Sequence, residues 1–176
     1  MRNTRLLTVA CASLALGVWI GLAAKDKPPG IEVVQGKPAK DAGVAALVEA
    51  ERLAGNGSWE LISIARVYYL SGDRAKAQTL IDRVLSHKPK ATDFQRLGEI
   101  YAAAGESAQA ETYFQRALAT DPKDDTGQSE IGAWYIRNGQ REKGEELLAK
   151  ALAKNPDDLW HYVRASEAYL AVPAGR

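Results

Sequence analysis

Few residues in this sequence have the types and spacing that chemistry requires. The two histidines, His87 and His161, stand 74 positions apart with no cysteine or second histidine beside either. Neither has the clustered nitrogen and sulfur donors of a protein zinc site. His87 lies just before Pro89, and a histidine in the last turn of a helix is favourable against the helix dipole. Both histidines read as structural. The run DPKDD at 121–125 gathers carboxylates but lacks the alternating acids and terminal glutamate of a calcium loop. It reads as a capping loop in which Asp124 or Asp125 starts a helix. The single cysteine, Cys11, sits in an apolar N-terminal run, so the rest of the chain has no thiol for a disulfide, a nucleophile or a metal. No phosphate-binding glycine loop or nucleophile elbow occurs. The sequence predicts no catalytic, cofactor or metal site, and no enzyme.

The bulk composition sets the frame around these residues. Of 176 residues, 46 % are apolar and 26 % charged, which is globular rather than disordered. Residues 25–176 carry 21 basic and 22 acidic groups, a balance with no electrostatic footprint for nucleic acid. Residues 6–24 contain no charge and follow Arg2 and Arg5. As a helix these nineteen residues span about 28 Å at ~1.5 Å each, close to the hydrocarbon thickness of a bilayer. Residues 1–24 are therefore expected to be a signal anchor, with cleavage as a signal peptide after Gly21 and Ala23 as the alternative. Basic residues ahead of the run keep the N-terminus in the cytoplasm and export the remainder. Residues 25–40, rich in lysine, proline and glycine, read as an extended linker.

Beyond the linker the chain repeats itself. Pro89, Pro122 and Pro156 are 33 and 34 residues apart, as are Tyr68, Tyr101 and Tyr135, and Gly72, Gly105 and Gly139. In residues 91–124, Phe94, Leu97, Gly98 and Tyr101 form one helical stripe and Ala110, Phe114 and Ala117 a second. Small residues where the stripes meet, Gly98 with Ala110 and Gly132 with Gly144, allow close helix approach. The glycines sit where a first helix must turn, and the prolines stop the second. Full repeats are read at 58–90, 91–124 and 125–158. A helix over about 40–54 places Gly43, Leu47 and Ala50 at second-helix positions, and 159–172 restarts the first helix as a cap.

A period of 33 to 34 with W-x2-L-G-x2-Y, then A-x3-F, then P resembles the tetratricopeptide repeat, here over at least residues 58–158. The resemblance implies an all-α solenoid of antiparallel helix pairs over 41–176, preceded by the transmembrane or signal helix. It also implies that positions two, five, nine, twelve and thirteen of each first helix line a concave groove. The candidate partner-binding residues are Trp59, Ile62, Arg66, Tyr69, Gln95, Glu99, Ser129 and Arg137. Among these, Trp59, Ile62 and Tyr69 are expected to form an exposed apolar cluster unless the 40–54 helix or Ile31, Val33 and Val34 cover it. The lysine and asparagine pattern with which one subclass grips acidic chaperone tails is missing.

The functional expectation is a non-enzymatic adaptor of the cell envelope. It is anchored in a bacterial inner membrane by a single pass, with its repeats in the periplasm, and holds a protein or peptide for complex assembly or secretion. The alternative is a soluble periplasmic repeat protein that self-associates through its solenoid ends. Neither cofactor nor nucleic acid is expected as a partner.

Overall fold

A computed structural model describes residues 29–173 of the chain. The helix expected within residues 1–24 lies outside the described residues, as does the start of the linker. Among the described residues, no helix is long and apolar enough to cross a membrane. They form eight α-helices and no strand. The helices are α1 (Ala39–Ala54), α2 (Ser58–Ser71), α3 (Arg74–Ser86), α4 (Ala91–Ala103), α5 (Ser107–Thr120), α6 (Asp125–Arg137), α7 (Arg141–Lys154) and α8 (Leu159–Tyr169). Where the sequence predicts extended linker, Ile31–Val33 makes one 3-10 turn that sits against α1.

The pairs α2/α3, α4/α5 and α6/α7 are the three repeats. Each first helix ends in the same way. Gly72, Gly105 and Gly139 take φ of 99°, 77° and 79°, the left-handed conformation that glycine adopts without a Cβ penalty. The next residue's N–H then reaches back to the repeat tyrosine, from Asp73 to Tyr68 O at 2.9 Å, Glu106 to Tyr101 O at 2.8 Å and Gln140 to Tyr135 O at 2.9 Å. This six-to-one bond satisfies a helix-end carbonyl. The helices that follow the prolines are started by acids. Asp124 accepts from the Gly127 N–H at 3.0 Å, Asp158 from Trp160 N–H at 2.8 Å, and Asp93 reaches back to Lys90 N–H at 2.8 Å.

The core is the sum of the two stripes in each repeat. Leu61, Ala65 and Tyr68 are buried with Ala77, Ile81 and Val84, and the same slots are buried in the other two pairs. Close approach holds at both repeat glycines. A Cβ on Gly132 would lie 2.9 Å from Gly144 O, as the pairing of these residues predicts. A Cβ on Gly98 would meet the Phe114 ring at 2.6 Å, so the aromatic slot takes up that space, not Ala110.

Successive first helices also pack on one another, α2 on α4, α4 on α6 and α6 on α8. Each first helix therefore buries a second stripe. The side chains that remain uncovered on α2, α4 and α6 form the concave face.

Candidate functional site

The concave face holds a groove of about 1210 Å³. Five of the eight expected residues line it: Trp59 and Arg66 from α2, Gln95 and Glu99 from α4, and Arg137 from α6. The other three do not. Ile62 is 4 % and Tyr69 7 % exposed, both within the core, and Ser129 is buried with its hydroxyl donating to Thr126 O at 3.0 Å. The exposed cluster of Trp59, Ile62 and Tyr69 is thus corrected to Trp59 alone. Tyr69 belongs to the α2–α4 contact, where its ring meets Tyr101 edge-on at 5.2 Å and its hydroxyl donates to Glu106 at 2.7 Å. The stacking of the next repeat buries it, with no need of the 40–54 helix or the linker.

Trp59 is 55 % exposed and carries the Arg96 guanidinium 3.4 Å above its ring centre. A cation held over an aromatic face contributes on the order of 0.5–2 kcal/mol. Here it fixes both side chains at the N-terminal end of the groove. In the middle, the Gln95 amide donates to Glu130 and, at 3.4 Å, to Glu99. Glu130 also lies 3.5 Å from Arg164, which pairs with Glu167 at 2.8 Å. These bonds tie α4, α6 and α8 together beneath the groove's mouth.

Two arginine atoms stand outside this network. Arg66 Nε and Arg137 Nη1 are buried with no hydrogen-bond partner among the described residues. Burial lowers the Arg137 pKa from its ordinary value, and the nearby Arg164 charge adds to the effect, with Glu167 opposing. A buried N–H without an acceptor costs free energy, and both side chains line the groove.

The sequence reading missed Trp134 and Phe114, whose rings lie 4.9 Å apart in the groove wall. Both occupy or adjoin core slots, and no one-helix pattern marks them as groove-lining. It also missed the contact between Asp125, Asp158 and His161, whose ligand atoms all lie within 4.8 Å of one another. His161 is 1 % exposed, with Nε2 3.4 Å from Asp125 and 4.0 Å from Asp158. Among the described residues, these three could hold a metal ion. Asp125 already accepts from Lys154 at 2.8 Å and Asn155 at 2.9 Å, and Asp158 caps α8. The cluster therefore knots the ends of α6, α7 and α8. His87, by contrast, lies at the end of α3, its ring 2.8 Å from Arg83 O.

No curated protein matches the chain. The crystal structure of MamA has a TM-score of 0.53 at 20 % identity, over 75 % of this chain and 80 % of that one, a likeness of fold. The family model described as tetratricopeptide repeat matches residues 101–167. That stretch runs from the repeat tyrosine of α4 into α8, and the glycine turns, small-residue crossings and buried stripes found there recur one period earlier in α2 and α3. Residues 101–167 thus match the tetratricopeptide repeat, and the helix pairs around them share its fold.

Proposed function

We propose that this protein is a non-enzymatic scaffold that holds an extended segment of a partner protein in its concave groove. The observation that carries this reading is the pair of buried, unpartnered arginine atoms, Arg66 Nε and Arg137 Nη1, on the wall of the same groove. Trp59 supplies an apolar face at one end, and aromatic and arginine side chains are the commonest anchors of protein interfaces. The groove sets arginine donors and ring faces beside the carboxylates of Glu99, Asp124 and Glu130, which suits recognition of a segment that carries both a carboxylate and donor groups. We further propose that residues 6–24 anchor the chain in a bacterial inner membrane, with the repeats on the periplasmic side, where the partner would be assembled or secreted.

Photo-crosslinking residues placed at Thr92, Ala103 and Thr126, all exposed and in the groove, test the reading, with exposed Gln78 on α3 as the control. The groove positions should trap a common partner in intact cells and Gln78 should not. Arg66→Ala with Arg137→Ala should abolish the adduct while leaving the melting temperature within a few degrees. Equal capture at Gln78, or capture unaffected by the double replacement, would defeat the groove as the site.

A further inference from the structure

Among the described residues, both ends of the array present half of a repeat. In the three complete pairs the first helix buries positions four, eight and eleven: Leu61, Ala65 and Tyr68, then Phe94, Gly98 and Tyr101, then Gln128, Gly132 and Tyr135. In α8 the equivalent residues are Tyr162, Ser166 and Tyr169. Tyr162 is 52 % and Tyr169 48 % exposed, and Ser166 is exposed between them. A trough of about 370 Å³, walled by Leu159, Tyr162, Val163, Leu170 and Val172 with Ser166 in its lining, runs where a second helix would lie.

The other end shows the complementary defect. Second helices bury a small, large, small set: Ala77, Ile81 and Val84, then Ala110, Phe114 and Ala117, then Gly144, Leu148 and Ala151. Helix α1 carries Gly43, Leu47 and Ala50 in the same register, and packs against α2 as α5 packs against α6 and α7 against α8. Among the described residues, no first helix pairs with it. No residue of α1 is fully buried, and Val44 and Val48 are exposed. A Cβ on Gly43 would meet nothing within 4 Å, whereas one on Gly144, its counterpart, would lie 2.5 Å from Gly132 O.

We infer that the protein assembles head to tail, α1 of one copy docking on α8 of the next to complete a fourth helix pair. Ser166 and Gly43 of the neighbouring copy then take the crossing that Gly132 and Gly144 take within the chain. The occupant is a second copy because, among the described residues, the face of α8 carries no second helix while α1 is a second helix in matching register with no such face against it. A solubilising cap would instead turn a polar side outward. Such an interface is heterologous, so it propagates until a ring closes or a filament forms. It involves neither groove nor arginines, so it stands or falls apart from the partner-binding reading.

Sedimentation of the full-length chain in detergent, over a range of concentrations, tests this with Ser166→Arg and Gly43→Arg. Both sites are exposed, so thermal melts of the single variants should match the wild type and show that each folds. Wild type should form species beyond the dimer as concentration rises. Each variant alone should associate at least about 30-fold more weakly, the effect of losing a central contact. An equimolar mixture of the two should give a dimer and nothing larger, because one retains a working α8 and the other a working α1. A wild type that stays monomeric would overturn the inference, as would single variants that assemble like it or a mixture that does not recover the dimer.

Discussion

At the scale of single residues, the repeat glycines separate two effects that usually oppose each other. Alanine inside a helix is favoured over glycine by about 1 kcal/mol. At Gly132 the added carbon would press on backbone, 2.9 Å from Gly144 O, and backbone cannot turn aside as a side chain can. Gly132→Ala is therefore expected to destabilise by about 1–3 kcal/mol from overpacking. Gly43→Ala, with open space around it, should stabilise by about 0.5–1 kcal/mol, and denaturant unfolding of the pair checks both signs. Tyr69 was assigned to the groove from its motif position, yet it is packed on Tyr101. Tyr69→Ala should then cost about 3 kcal/mol or more, and a melting temperature close to wild type would contradict its place in the core. The same scale includes a pH effect. Hydrogen bonds from Lys154 and Asn155 hold the Asp125 carboxyl well below the usual carboxylate range. Its folded pKa is thus below its unfolded one, near ~3.9. The contribution is complete above that unfolded value and fades as pH falls toward the folded one. Asp125→Asn should be less stable than wild type at pH 7, by under about 1 kcal/mol for a surface-type pair. The gap should narrow in acid melts below about pH 4.

At the scale of elements, helix pairs, turn glycines and terminating prolines were legible because each depends on local chemistry. A positive φ or a missing N–H leaves its mark on one residue. The second buried stripe of each first helix was not legible, because it arises only when α4 lands on α2 and α6 on α4. For that reason motif positions five and twelve, Ile62 and Tyr69, were placed in the groove while the structure buries them. Arg96 over Trp59 escaped for the same cause, since their helices meet only in the stack. One irregularity of period also has a structural counterpart. Between Pro89 and α4 there is one residue, Lys90, where two residues follow Pro122 and Pro156. In the short connection Lys88 takes φ of 54°, whereas its counterparts Asp121 and Asn155 take −135° and −138°. The left-handed conformation costs a residue with a Cβ roughly 1–2 kcal/mol. Lys88→Gly should recover about 0.5–1 kcal/mol after the entropy of the unfolded glycine is counted. The measurement is a rise in melting temperature of a few degrees, and a fall would mean that the Lys88 side chain holds the turn.

At the scale of the whole molecule, the near-equal charges of residues 25–176 leave no field to draw the solenoid to a polyanion or an acidic membrane. The attachment to the bilayer that we propose is through the apolar N-terminal run. That run follows Arg2 and Arg5 and meets Lys25 and Lys27 on its far side, so the basic residues are balanced in number across it. Proximity of the charges to the amino terminus favours retention of that end in the cytoplasm, since the first segment usually dominates orientation. We expect the groove and both array ends to face the periplasm. An alkaline phosphatase fused after Arg176 should then be active, and a reporter that works only in the cytoplasm should be inactive at the same junction. The chain should stay with the membrane fraction through a high-salt wash and enter solution only with detergent. Release by salt alone would favour cleavage near Gly21 and Ala23, with a soluble periplasmic protein as the product. An inactive phosphatase with an active cytoplasmic reporter would reverse the orientation, and with it the compartment in which the partner is to be sought.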